Sequence, residues 1–320
     1  MENKRPVIPS IRNKYGIMHR HGPAMEITTM IGCPLKCTFC PQDGLRKAYG
    51  KEEMKKSKYL KLEDLDVMLD KIPINTRVDF SGMAEPWSNP DCTDMLKMTL
   101  EKGFTVAIFS TLYGLKIEEV DTVVGLLERF NDQIDTVCLH LPDANGNMRG
   151  WKYSEEWEEV FRRVGKAKVK CGVGAMTMDG SGNVHEQVKD FARVTFGYEM
   201  HTRADSLDVE QINGQHVAMT PKHTSSLTCR STPFFDRNVM NPNGDIVLCC
   251  MDYNLKHIIG NLLDQTYLEI MNGDKLKEIV KMNETPGFNK CSICKSCENV
   301  TYINTVPPPV FEGTQVVSLY

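Results

Sequence analysis

The sequence predicts an α/β protein: a partial (β/α)6 barrel of parallel strands, followed by a small C-terminal β-hairpin/helix domain. Three observations lead there. From Ala24 onward, short apolar runs alternate with segments whose apolar residues recur at helical spacing, the order left by a parallel sheet covered with helices. About six such units can be counted, short of the eight of a closed barrel. From about Thr220 the alternation gives way to a hairpin turn signal, one helix and six of the twelve cysteines. The chain therefore divides into a lead-in (1–23), a barrel (24–219) and a C-terminal unit (220–320).

The lead-in is polar and basic, with Pro6, Pro9 and Pro23, and reads as extended. Ala24 to Met30 alternates like a strand and runs into a cysteine loop. Lys47 to Lys58 is so heavily charged that a solvated loop or loose helix is expected. Leu62, Leu65, Met68, Leu69 and Ile72 then mark a helix between Leu60 and Ile72. Strands follow at Arg77–Ser81, Phe104–Thr111, Ile134–Leu141 and Val169–Met176, separated by helices at Asp91–Lys102, Ile117–Phe130 and Ser154–Ala167. A helix at Val184–Ala192 and a strand at Val194–Glu199 complete the count. Beyond them, Asn241-Pro242-Asn243-Gly244 signals a hairpin leading into the strand Asp245–Leu248, and Leu263–Met282 reads as a helix.

Composition narrows the class. Lysine plus arginine is 38 against 42 acidic residues, a net charge of -4, which disfavours a dedicated nucleic-acid binder. No apolar run approaches membrane-spanning length, and the first residues lack the apolar core of a signal peptide, so a cytoplasmic location is expected. Twelve cysteines in a reducing compartment point to metal or redox work rather than disulfides.

The cysteines supply the chemistry. Cys33, Cys37 and Cys40 form a Cys-x3-Cys-x2-Cys run directly after the first strand. Thiolate is the ligand that iron–sulfur clusters take, and three thiolates on a four-iron cube leave one iron open for chemistry. Zinc prefers Cys-x2-Cys pairs and four protein ligands, which this spacing fits poorly. The run, with Phe39 before its last cysteine, resembles the signature of the radical S-adenosylmethionine (SAM) superfamily. The resemblance implies a 4Fe–4S cluster on these three cysteines, with SAM on the open iron and Phe39 near the adenine. Ligands of parallel α/β folds gather at the C-terminal ends of strands, where this loop falls.

Ser81-Gly82-Met83-Ala84-Glu85-Pro86 follows the second strand. Glycine lets backbone approach a ligand closely, and Glu85 can accept hydrogen bonds from an ammonium group. The segment is similar to the family's Gly-Gly-Glu-Pro motif, which holds the SAM amino group, although Met83-Ala84 stands where a second glycine is common. Ser110 and Thr111, at the end of the third strand, occupy the place where the family contacts the SAM ribose or carboxylate. His140, Asp143 and Arg149, at and after the end of the fourth strand, are candidates by position for handling the substrate. Cys92, Cys138 and Cys171 read as small buried hydrophobes.

At the C-terminus, a hairpin cysteine plus a Cys-x2-Cys knuckle is compatible with a zinc ribbon. Cys229-x14-Gly244-x4-Cys249 and the Gly260-Asn261 pair resemble instead the first half of the SPASM/Twitch extension of radical SAM enzymes, whose cysteines bind auxiliary four-iron clusters. The full SPASM pattern ends Cys-x2-Cys-x5-Cys-x3-Cys, whereas this chain has Cys291-x2-Cys294-x2-Cys297 alone. The resemblance then implies one auxiliary 4Fe–4S cluster, on Cys229, Cys249, Cys294 and Cys297, with Cys291 or Cys250 as replacements.

The activity implied is reductive cleavage of SAM to a 5′-deoxyadenosyl radical and hydrogen abstraction from a substrate, with the auxiliary cluster accepting an electron. Only about twenty residues precede the first strand, room too small for a peptide-recognition domain, so the expected substrate is a small hydroxylated metabolite, sugar- or aminocyclitol-like. Modification of a ribosomally made peptide is the alternative, and a base-modifying transferase is disfavoured by charge. The expected reductant is a flavodoxin or ferredoxin. A non-enzymatic electron carrier or zinc-stabilised scaffold is the reading from another class.

Overall fold

The computed structural model describes residues 22–50, 57–207, 222–287 and 292–303. The lead-in before Gly22 and Cys291 thus lie outside the described residues. The barrel half runs β1 (Ala24–Ile27), α1 (Gln42–Gly50), α2 (Leu62–Asp70), β2 (Arg77–Phe80), α3 (Cys92–Glu101), β3 (Thr105–Ser110), α4 (Val120–Arg129), β4 (Ile134–Leu141), α5 (Glu155–Gly165) and β5 (Val173–Thr177). The C-terminal half adds β6 (Leu227–Cys229), β7 (Arg237–Met240), β8 (Asp245–Val247), β9 (Ile258–Asn261), α6 (Tyr267–Met271), α7 (Asp274–Glu284) and β10 (Val300–Tyr302).

One eight-stranded sheet carries the fold, in the order β5-β4-β3-β2-β1-β7-β8-β9. β1 to β5 pair in parallel, and β7 adds to the free side of β1, also in parallel. The period-2 alternation of each strand divides its side chains between two buried surfaces. Met25 and Ile27, Val78 and Phe80, Val106 and Ile108, and Val137, Leu139 and Leu141 pack outward against the helices. They meet Leu65 and Met68 of α2, Met95 and Leu96 of α3, Val123 and Leu127 of α4, and Trp157, Val160 and Phe161 of α5. The other face of the same strands turns Ala24, Glu26, Arg77, Asp79, Phe109, His140 and Met176 into a cavity. At about 25 cal/mol per Å2 of apolar surface removed from water, the outer layer supplies the driving force and leaves the inner face free to be polar.

The local reasons for the elements are ordinary. Ser154 caps α5 by accepting the Trp157 N–H at 3.1 Å, and Thr266 and Glu269 form a capping box on α6. The Asn241–Gly244 turn closes the β7–β8 hairpin through Gly244 N–H to Asn241 O at 2.9 Å, with Gly244 at φ +82.

Four expectations are corrected. The sixth strand–helix unit does not form: residues 186–191 are turns and 192–199 irregular, tied to β5 where the Thr195 and Phe196 amides donate to Ala175 O and the Ala175 N–H donates to Thr195 Oγ1. The sixth parallel strand of the sheet is instead β7, which comes from beyond residue 230 and joins the opposite edge, beside β1. The helix expected at Leu263–Met282 is two, α6 and α7, broken where Asn272 and Gly273 end one and start the next. Cys171, expected to be a small buried hydrophobe in a strand, is exposed, because β5 begins only at Val173 and Cys171 sits in the turn before it. Of the charged segment Lys47–Lys58, the first residues end α1, whose buried Leu45 and Tyr49 pack in a second apolar cluster, and residues 51–56 lie outside the described residues.

Candidate active site

Cys33, Cys37 and Cys40 line the barrel cavity of about 360 Å3. The loop that carries them is pinned along one edge by residues 147–150. Thr38 N–H donates to Asn147 O at 3.0 Å, Gly150 N–H to Leu35 O at 2.6 Å, and Cys37 bridges Met148 in antiparallel register. Gln42, at the start of α1, donates from Nε2 to Cys40 Sγ at 3.3 Å and to Met83 O at 2.5 Å, while its Oε1 accepts the Cys33 N–H at 3.3 Å. Tyr253 Oη lies 3.5 Å from Cys40 Sγ. Burial pushes the Cys33 thiol up to about 12 and the Cys37 thiol well above its ordinary value, and the neighbouring thiols add to both shifts. Sulfurs crowded this way ionise only when a cation compensates them, which is what bound iron provides. The Leu35 and Glu85 amides also face the Cys33 sulfur.

Glu85, Ser110 and Thr111 come together, in an arrangement the sequence did not suggest. Ser110 Oγ donates to Glu85 Oε1, and the Thr111 N–H and Oγ1 both donate to Oε2 at 2.8 Å. The Trp87 N–H adds a 3.5 Å contact to Oε1. Burial raises the Glu85 pKa, and these donors oppose the shift. The lone pairs of this carboxylate are therefore taken: Glu85 ties the loop after β2 to the end of β3. Gly82 has φ +57, and a Cβ there would sit 2.6 Å from Ile27 O, so glycine is required for the loop to lie against β1. Gly82, Met83 and Ala84 line the cavity, and the Met83 carbonyl accepts from Gln42 Nε2. Phe39 is buried in the wall of the same cavity.

His140 lines the cavity as well, beside Phe109 with ring centroids 6.4 Å apart. Burial, then the Arg203 charge, lowers its pKa to about 4, so the imidazole is neutral at neutral pH. Asp143 and Arg149 lie elsewhere. Asp143 is buried and accepts from the Asn145 and Asn147 amides at 2.9 and 3.2 Å and from Asn147 Nδ2 at 2.9 Å. With the exposed Arg149 it lines a separate, outward groove and not the barrel cavity.

The floor of the cavity holds groups that motif reading missed. Glu26 stands between Asp79 and Cys250, and burial followed by the Asp79 charge raises its carboxyl to about 7. Arg77 satisfies Asp79 through two bonds of 2.7 and 2.8 Å. Arg203 donates to Tyr198 Oη at 3.0 Å and lies 5.8 Å from the Tyr253 ring centroid. It opens a left-handed turn, with φ of 53, 49 and 70 at Arg203, Ala204 and Asp205, anchored by Thr202 N–H to Glu298 Oε1 at 2.6 Å. Three such non-glycine residues in a row are costly backbone, a feature that clusters at functional sites.

A second cavity of about 270 Å3 is lined by Cys229, Cys249, Cys294 and Cys297. β6 supplies the first, the segment after β8 the second, and the turn Ile293–Ser296 and its end the last two. The Thr232 N–H donates to Cys229 Sγ at 3.3 Å and the Asn299 N–H to Cys297 Sγ at 3.4 Å, the amide-to-sulfur bonds that stabilise metal-bound thiolate. Burial raises all four thiols, Cys294 to about 11 and Cys297 to about 12. Cys250 differs: its thiol is bonded to Glu26, and it lines both cavities. Among the described residues no group of three or more His, Cys, Asp or Glu side chains is arranged to hold a single metal ion. Lys295, wholly buried between Cys294 and Cys297, donates to Ser225 O at 2.9 Å, Thr285 O at 3.0 Å and Asn283 O at 3.3 Å.

An open three-cysteine loop at the mouth of a partial barrel, with a four-cysteine cavity below, defines an iron–sulfur enzyme of the SAM-cleaving kind. The chain matches the radical SAM superfamily over residues 27–194 and the iron-sulfur cluster-binding domain SPASM over residues 229–298, and it belongs to the radical SAM superfamily. Its cofactors are a 4Fe–4S cluster that binds SAM and an auxiliary cluster in the C-terminal domain. Among solved structures, BtrN in complex with AdoMet and 2-DOIA is 16% identical with a TM-score of 0.56, over 87% of this chain and 93% of that one. Native anSMEcpe with bound AdoMet and Cp18Cys peptide is 13% identical with a TM-score of 0.50, over 87% of this chain and 88% of that one. Both likenesses are likenesses of fold. No curated protein sequence matches the chain. No helix among the described residues is long and apolar enough to cross a membrane.

Proposed function

We propose that the protein is a radical SAM oxidoreductase that oxidises a small hydroxylated metabolite, sugar- or aminocyclitol-like, with the auxiliary cluster as electron acceptor. One observation carries this reading: Glu26, Tyr198, Arg203, Arg237 and Cys250 stand in the walls of both cavities, so a molecule on the barrel floor lies between the two cysteine sets. The lining there is charged and hydrogen-bonding, the chemistry that selects hydroxyl groups.

Cys33, Cys37 and Cys40 hold the SAM-binding cluster, and Cys229, Cys249, Cys294 and Cys297 the auxiliary one. The chemistry supplied when these groups are bound is one-electron cleavage of SAM to methionine and a 5′-deoxyadenosyl radical, hydrogen abstraction from the substrate, and removal of one further electron. The Gly82 and Ala84 carbonyls would receive the SAM ammonium group, since the Glu85 carboxylate is occupied by Ser110 and Thr111 and the Met83 carbonyl by Gln42. Phe39 packs against the adenine side. Arg203 orients the substrate oxygen, and neutral His140 hydrogen-bonds the neighbouring hydroxyl. Glu26, placed between both sites, takes the hydroxyl proton as the carbonyl forms.

The test is anaerobic turnover of the reconstituted enzyme with carbon-deuterated polyols, aminocyclitols and, in parallel, peptides. Deuterium in 5′-deoxyadenosine together with a carbonyl product from a polyol or aminocyclitol is the expected result. Deuterium arriving from peptides alone would overturn the substrate class.

A further inference from the structure

The turn that follows β8 runs from one cysteine set to the other. It begins at Cys249, in the four-cysteine cavity, and four residues later presents Tyr253, whose Oη lies 3.5 Å from Cys40 Sγ of the barrel loop. A metal-bound thiolate carries no proton, so in the loaded protein the phenol is the donor of this bond. Asp252 stiffens the turn. It is buried, and its carboxylate oxygens accept the Lys256 and His257 amides at 2.9 and 2.7 Å. The Asp252 N–H donates to Cys249 O and the Leu255 N–H to Asp252 O, both at 3.1 Å, and Leu255 closes the turn at φ +50. His257 then reaches the far side of the same cavity, where its Nε2 accepts the Ile293 N–H at 3.2 Å, one residue before Cys294. At the other end, Tyr253 is buried in an apolar cluster with Leu45 and Tyr49 of α1 and Met83, against which Cys40 packs. Gly44 of α1 admits the turn, since a Cβ there would sit 2.6 Å from Asn254 Oδ1.

The geometry points to residues 249–257 as a strut between the two centres: filling the auxiliary site fixes Tyr253 Oη on the Cys40 sulfur, and that bond raises the reduction potential of the barrel cluster. A metal bond to Cys249 immobilises one end of the turn, and its internal hydrogen bonds carry the constraint to Tyr253. A donor on a cluster sulfur stabilises the extra negative charge of the reduced state, so the cluster becomes easier to reduce. Tyr253 is thus a positioning residue for SAM cleavage, contributed by the C-terminal domain. A chain that lacks its auxiliary cluster would have a barrel cluster harder to reduce, and would spend less SAM without product. Simple repulsion between two anionic centres acts in the opposite direction, because removing one makes the other easier to reduce. The sign of the shift therefore separates the two. The inference rests on the two ligand sets and not on the identity of the substrate.

The test is a potentiometric titration of the SAM-responsive electron paramagnetic resonance signal in the reconstituted protein. Tyr253→Phe keeps the buried ring. It should lower the ratio of reduced to oxidised barrel cluster about fivefold at a fixed potential, a negative shift of about 40 mV at 59 mV per tenfold for one electron. Cys229→Ala combined with Cys297→Ala removes the auxiliary cluster without touching the turn, and should give a negative shift of the same size. In the Tyr253→Phe background the same pair should add no negative shift. With both clusters present, His257→Leu, which deletes the acceptor of the Ile293 amide, should also shift the potential down, whereas His257→Gln, which keeps an acceptor, should restore it. An unchanged potential in Tyr253→Phe overturns the strut. So does a positive shift on losing the auxiliary cluster, or an equal negative one in both backgrounds. A wild-type signal that ignores SAM overturns the ligand assignment and the strut with it.

Discussion

Each cysteine set has a lysine beside it, and the two lysines are used in opposite ways. Lys36 precedes Cys37 and is exposed, facing away from the barrel, while Lys295 follows Cys294 and is wholly buried with its ammonium on three carbonyls. The difference follows from the surroundings of each loop. The barrel loop is a surface ladder with one side left to solvent, and it brings three sulfurs to a cavity. The C-terminal turn is packed inside β6, α7 and β10, and it closes a set of four. An exposed cation has its charge screened by solvent, whereas a buried one acts on the neighbouring sulfurs through a low dielectric.

The sharpest way to break this contrast is at the sulfurs. Cys37→Ala should lower 5′-deoxyadenosine formation by at least about a hundredfold, equivalent to about 3 kcal/mol of barrier. Cys294→Ala should leave SAM cleavage within several-fold while abolishing oxidised product, as chromatography of both products would show. A smaller effect separates the two turn glycines. Gly82→Ala drives a Cβ to 2.6 Å from the Ile27 backbone oxygen and should cost about 3 kcal/mol in denaturant unfolding. Gly244→Ala meets side-chain atoms of Asn261 and Leu263 at 2.7 and 2.9 Å, which can move, and should cost roughly half as much.

The pH dependence should belong to the barrel. His140 has a pKa lowered to about 4 in the folded chain, against about 6.5 unfolded. Below pH 6.5 the unfolded chain gains a proton that the folded chain refuses, so stability is lost as pH falls from 6.5 through 4 and then levels. His140→Gln should remove roughly 2 kcal/mol of that loss, read from chemical denaturation at each pH. Smallest is Lys295→Met. It should cost about 1 kcal/mol of stability and move only the auxiliary reduction potential, by tens of millivolts in the negative direction.

Much of this architecture could be read from the chain. The apolar strands declare themselves because both sheet faces are buried, and Ile134–Leu141 is read to the residue. The cysteine loops declare themselves by spacing. Glu26 does not, because Ala-Met-Glu-Ile looks like a strand with one wet face, whereas that face is the cavity wall. Arg203 is hidden in a segment with no periodicity, where three left-handed residues aim it inward. Gln42 and Tyr253 reach the Cys40 sulfur from distant parts of the fold, a proximity that only tertiary structure creates. The expected strand Val194–Glu199 lies along the β5 edge but is tied there to Ala175 alone, whereas β7 pairs with β1 residue by residue on the opposite edge.

The central claim is that the two cysteine sets hold two centres, of which only the barrel centre is open. The direct measurement is electron paramagnetic resonance of the reduced, oxygen-free protein before and after SAM is added. In a Cys229, Cys249, Cys294 and Cys297→Ala variant about four irons should remain, and SAM should change their signal. In a Cys33, Cys37 and Cys40→Ala variant the surviving signal should be indifferent to SAM. A SAM-induced change in this second variant, or none in the first, would contradict the account.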